Sequence, residues 1–212
     1  YDPIVNNDEL AMIEAVTRAF PRTVLILNTP GYMEVYQAAA LCSAVVYMGI
    51  PGQEGGAALS ELLTGEAVFL GHLNQSWPRR RADFIQANQV LDIYAGYRYF
   101  DTFGTELLYD FGYGLTYGAA ELAAVAVAVD GKDLVVTAQV VNTGDTWPVS
   151  QVVQVYVSRP AGKLPQPKYT LCGFARTALL EPGRAESVTI RVPLSSLASY
   201  SEASATFMLE AG

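Results

Sequence analysis

Five carboxylates stand where chemistry would be sought first. Glu54 lies in a glycine-rich turn, and Asp92, Asp101, Glu106 and Asp110 lie in a segment crowded with aromatic residues. Paired carboxyl groups suit acid–base work on a glycosidic bond. The retaining reaction needs two of them about 5–5.5 Å apart, one protonated and one ionised. Asp101 and Asp110 sit among tyrosines and phenylalanines, surroundings able to desolvate a carboxyl group. The plainer reading is that both accept backbone or tyrosine hydrogen bonds in a folded linker.

The other candidates each carry a structural alternative. PGQEGG, residues 51–56, falls between a strand-like run and a helix-like run, where backbone N–H groups could cradle phosphate. Gly52, Gly55 and Gly56 lack the dinucleotide spacing, no Lys-Ser/Thr follows, and Glu54 would repel the anion. A tight strand-to-helix connection using glycine's backbone freedom accounts for it better. His72 is the single histidine and has no companion cluster. Trp77-Pro78 could stack on a sugar ring or anchor a packed loop. Arg98, between Tyr97 and Tyr99, reads as a structural cation over aromatic rings, paired to Asp101 or Asp110. Arg79, Arg80 and Arg81 read as a solvated loop or a local ion-pairing run rather than a phosphate site.

The whole chain must supply elements that position these groups. It has 212 residues, of which 51% are hydrophobic and 16% charged, enough for a sizeable core. A net charge of -8 argues against nucleic acid or an anionic membrane as partner, since both want a basic face. Cys42 and Cys172 sit in apolar surroundings with no metal-ligand spacing, so they read as buried free thiols. Free thiols favour a cytoplasmic location. No metal or cofactor is expected.

The first third alternates helix and strand. Asn6 or Asn7 can cap a helix with Asp8 and Glu9 in its first turn, and Leu10, Ile13, Val16 or Thr17, and Phe20 form one apolar face. TVLILN (23–28) and AVVYMGI (44–50) read as parallel strands covered on both faces. MEVYQAAALC (33–42) and AALSELLTG (57–65) read as helices, giving a parallel sheet with flanking helices. Two strands cannot close such a layer, so further strands are expected before Tyr1.

From about Leu70 to Gly118 the periodicity fails. GYRYFDTFGTELLYDFGYGLTYG, residues 96–118, holds eight aromatic side chains and five glycines. It reads as an irregular interdomain strap whose rings bury against its neighbours. From residue 119 the pattern becomes short alternating strands with turns at Asp130-Gly131 and Pro182-Gly183, an immunoglobulin-like β-sandwich.

Four ordered segments resemble the C-terminal half of a glycoside hydrolase family 3 enzyme, the β-glucosidase and β-xylosidase group. They are PGQEGGAALSELLTG (51–65), GYRYFDTFG (96–104), YDFGYGLTY (109–117) and VVNTGDTWPVSQVVQVYVSRP (140–160), supported by LCGFARTALLEPG (171–183). The resemblance implies three parts. Residues 1–78 would be the C-terminal part of an α/β sandwich domain, 79–118 an aromatic interdomain linker, and 119–212 a fibronectin type III-like β-sandwich without its last strand.

It further implies a retaining β-glycosidase acting on terminal β-D-glucosides or β-D-xylosides. The nucleophile Asp would lie on a barrel and the acid/base Glu upstream of Tyr1, so no catalytic residue is assigned within this chain. The implied partners are a β-linked oligosaccharide or glycoside and the remaining barrel domain, with homo-oligomer formation open. Departures fall at EAVFLGHLN (66–74), where only Gly71 and Leu73 match well, and near Leu91 or Asp92. The rival reading is a non-catalytic interaction or glycan-binding module built on the sandwich.

Overall fold

The computed structural model describes residues 4–89, 92–159, 162 and 164–210. Leu91, at one of the departures, lies outside the described residues. The chain divides into two compact units, one of Tyr1–Ala67 with His72–Tyr113, the other of Val68–Gly71 with Gly114–Gly212. Its class is α/β plus all-β.

In the first unit, helix α1 (Asn7–Ala19) starts at Asn6, whose side chain accepts the Asp8 and Glu9 N–H groups while Glu9 reaches back to the Asn6 N–H. This capping box satisfies donors that the first turn leaves free. Strands β1 (Val24–Leu27) and β2 (Ala44–Tyr47) pair in parallel, Val24 opposite Ala44 and Leu27 opposite Tyr47. Two strands cannot cover both faces, as expected. Val24 is 43% exposed and only Leu27 of β1 is buried, because the sheet has two strands. On α1, Ile13 is buried while Val16 and Phe20 are exposed.

Helix α2 spans only Tyr36–Leu41, shorter than the expected 33–42. Glu34 instead forms a parallel bridge with Ile4, which commits its backbone to extended pairing, and the helix begins after Val35. Helix α3 (Gly55–Thr64) follows the glycine-rich turn and ends on Gly65 in the left-handed region. Gly52 has φ +75°, and a Cβ on Gly55 would fall 2.3 Å from Pro51 Cγ. The turn therefore needs one glycine for its backbone angle and another for close approach.

The expected irregular stretch is also corrected. Strand β3 (Trp77–Pro78) pairs antiparallel with β4 (Leu107–Tyr109), and between them lie helices α4 (Arg81–Gln89) and α5 (Tyr97–Phe103). Helix α5 is bounded by Gly96 at φ +65° and Gly104 at φ +67°. At seven residues it is too short for its apolar positions, Tyr97, Tyr99, Phe100 and Phe103, to show a 3.6-residue period. Phe100 is buried. Tyr94, Tyr99 and Phe103 meet as tilted rings, and Tyr97 stacks on Phe111 at 4.9 Å.

The second unit holds a three-stranded antiparallel sheet and a separate antiparallel pair. The sheet runs β5 (Ala120–Asp130), β6 (Asp133–Asn142), β9 (Ala185–Pro193), and the pair is β7 (Val152–Val157) with β8 (Thr170–Arg176). A hairpin of β10 (Ser199–Ser201) and β11 (Thr206–Met208) follows. Val136, Ile190 and Val192 form the core with Val153, Val155 and Cys172 packed on it. This is the inward alternation expected of a sandwich.

A second cluster, Val140, Val149 and Leu180, lies beside Asn142. Asn142 is fully buried and donates through Nδ2 to the Trp147 and Leu180 carbonyls, while Oδ1 accepts the Gly144 N–H. One side chain thus satisfies three backbone groups of two loops. Asn142→Leu strands all three, and urea unfolding of the full chain should show a loss of about 3 kcal/mol.

Candidate functional site

The candidate site is the end of the first unit where β3 and β4 meet. Its floor is a buried cluster of Leu27, Tyr32, Val35 and Trp77, with Tyr47, Phe84, Leu108 and Tyr109 packed on it. Trp77 is 1% exposed, and its ring meets Tyr32, Tyr47 and Tyr109 edge-on at centroid distances of 5.7, 5.3 and 6.2 Å. Edge-to-face packing sets the positive ring edge against the negative ring face. A ring so enclosed offers no face to a sugar. Trp77 is the loop anchor, not a stacking platform.

Burial acts on the phenols here. The Tyr32 hydroxyl is pushed well above its ordinary value by burial, with the Glu34 and Asp83 carboxylates adding to the effect. Tyr109 is pushed up by burial and then by Tyr113.

Above this floor the arginine run forms local pairs. The Arg79 guanidinium lies 4.6 Å over the Tyr36 ring, and its Nη1 is 2.9 Å from Glu106. Arg80 donates through two nitrogens to Asp83 at 2.8 Å each, and the Arg81 N–H donates to the Glu34 carboxylate. The ion-pairing reading of this run therefore describes Arg79 and Arg80.

Two of the five candidate carboxylates have defined partners. Glu106 serves Arg79. Asp92 accepts the Tyr94 N–H at 2.7 Å in a local turn. Glu54 is exposed ahead of α3 and makes no side-chain cap. Asp101 is half-buried on α5, and Asp110 is exposed after β4.

Arg98 lies 5.7 Å from the Tyr97 ring centre and donates to the Ile93 carbonyl, while its Nε is buried without a partner. His72 is half-buried in a loop whose next residue, Leu73, exchanges backbone hydrogen bonds with Gly112 and Tyr113. Cys42 and Cys172 are free but half-buried rather than buried. Burial pushes both thiols up, against an opposing Arg159 charge at Cys172, so neither is an activated thiolate. Among the described residues no group of three His, Cys, Asp or Glu could hold a metal, and no helix is long and apolar enough to cross a membrane.

Sequence reading missed Tyr32 and Val35 as parts of the floor. Both precede a helix in a turn, and no period marks a turn residue as buried.

With this geometry in view, comparison with known proteins is decisive. Residues 4–117 match the model of the glycosyl hydrolase family 3 C-terminal domain. The chain belongs to glycoside hydrolase family 3. Residues 151–212 match the fibronectin type III-like domain.

Among curated family 3 relatives, an exo-α-(1→6)-L-arabinopyranosidase of Bifidobacterium longum is 33% identical over 96% of this chain and 28% of its own length. The β-glucosidase A of Butyrivibrio fibrisolvens is 31% identical over 100% of this chain and 29% of its own. The chain thus spans less than a third of the length of either relative. The solved structure of β-glucosidase 3B from Thermotoga neapolitana superposes with a TM-score of 0.88 at 33% identity, covering 93% of this chain and 30% of that one.

Two outcomes test the floor. Trp77→Ala should cost about 3–5 kcal/mol in urea unfolding, the range for emptying an aromatic core site. A raised tyrosine pKa adds stability that is intact below the ordinary value of 10.0 and is lost as pH rises beyond it. Melting curves of the full chain should therefore fall above about pH 10, and Tyr32→Phe should flatten that fall.

Proposed function

We propose that this chain is the C-terminal portion of a retaining β-glycosidase that hydrolyses terminal β-D-glucosides or β-D-xylosides. The match of residues 4–117 to the family 3 C-terminal domain carries this reading. The engagement of Glu106 with Arg79 and of Asp92 with a local turn supports placing the nucleophile Asp and the acid/base Glu outside these residues. This portion then serves as scaffold and docking part, and its partners are the glycoside substrate and the barrel of the same enzyme. The arabinopyranosidase name of one relative keeps other pyranosides within range as substrates. The two free thiols support a cytoplasmic location.

The glycan-binding reading has one observation in its favour. On the β10–β11 hairpin, Tyr200 and Phe207 face each other across the strands, 53% and 70% exposed, with ring centres 5.3 Å apart.

The purified 212-residue chain should show no turnover of an aryl β-D-glucoside, whereas the enzyme carrying the barrel should turn it over. Activity of the chain alone, with contaminating hydrolases excluded, would falsify the placement of the catalytic pair. Saturable binding of soluble β-glucans that is lost in Tyr200→Ala would favour the module instead.

A further inference from the structure

The second unit contains four residues that the sequence places far from the rest of it. Val68–Gly71 belongs to the same compact unit as Gly114–Gly212, although residues on both sides of the segment belong to the first unit. Two independent contacts hold it. The Arg176 Nη2 donates to the Leu70 carbonyl at 2.5 Å, and the Phe69 ring meets Tyr117 edge-on at 5.5 Å.

Both contacts are backed by fixed groups. Arg176 Nε donates to Ser150 Oγ at 3.0 Å, and that hydroxyl in turn donates to the Thr177 carbonyl at 2.8 Å. Ser150 and Thr177 are 8% and 4% exposed. The guanidinium fork is therefore aimed at the segment before the segment is considered. Arg176 forms no ion pair among the described residues, so its charge is directed to a neutral hydroxyl and a backbone carbonyl. Charge-assisted bonds of this kind are stronger than neutral ones.

Tyr117 is set in the same way. Its ring packs on Trp147 at 5.3 Å, and the next residue, Gly118, admits the chain only because it has no side chain. A Cβ there would lie 2.4 Å from Val149 Cγ1 and 3.0 Å from the Trp147 carbonyl oxygen.

We propose that Tyr117, Trp147, Ser150 and Arg176 form a peptide-docking face on the sandwich, and that its resident ligand is Val68–Gly71 of the same chain. The face reads an aromatic side chain followed by a free backbone carbonyl. Phe69 and Leu70 supply these in order, and the exposed Gly71 lets the chain leave without a side chain to place. This also gives a physical role to part of EAVFLGHLN, residues 66–74. The proposal does not depend on which glycoside the enzyme takes.

The test uses the full chain. Chymotrypsin cuts after Phe69 and Leu70 only when that segment leaves the face, so cleavage there, read by mass, reports release. Arg176→Met should raise the cleavage rate at least about tenfold, the effect of losing one strong bond, and Arg176→Lys should fall between the two. Cleavage of Arg176→Met at the wild-type rate would overturn the proposal.

Should that variant fail to fold, a synthetic peptide of residues 66–73 decides. Added to a Phe69→Ala chain, it should shift the Trp147 indole resonance saturably, and it should not do so for the wild type, whose own segment competes. No saturable shift in Phe69→Ala overturns the proposal.

Discussion

Trp77 is the contact on which the first unit closes. Three tyrosines present ring edges or faces to it, and each comes from a different part of the chain: Tyr32 from the turn before α2, Tyr47 from the end of β2, Tyr109 from β4. A ring of this size removes 150–250 Å² from water when covered, a gross gain of roughly 4–6 kcal/mol at about 25 cal/mol per Å². Through Tyr47 it joins the parallel strands to the later β3–β4 pair. The exposed Arg79–Glu106 pair beside Tyr36 adds little by comparison.

The second unit depends on a polar constraint instead. Its apolar core needs only alternation along the strands, but the loops after β6 and before β9 bring buried carbonyl and N–H groups with them. Asn142 meets three of these from one position. Burying an amide is unfavourable unless it is satisfied, and here both ends of the amide are used. Ser150 and Thr177 extend the same economy to the edge of β8, where Arg176 is aimed.

The candidate carboxylates are distributed along these constraints. Glu106 and Asp83 pair with arginines, Asp92 closes a turn and Glu9 caps a helix. A pair held apart in protonation state needs a shared enclosure, and the buried cluster of the first unit is filled by the aromatic and aliphatic side chains of Leu27, Tyr32, Val35 and Trp77.

Patterns that repeat locally were legible in the residues themselves. Asn6 with Glu9 announces the start of α1, Asp130-Gly131 the hairpin, and the valine alternation in β7 its inward face, because each depends on neighbours within a few positions. The four ordered motifs made the family readable for the same reason. Tertiary structure alone decided that Trp77 is enclosed, that the aromatic run from Tyr97 is a helix between two left-handed glycines, and that Val68–Gly71 joins the sandwich. These outcomes depend on contacts between residues dozens of positions apart. Spacing along the chain carries no signal for a partner that only folding brings near.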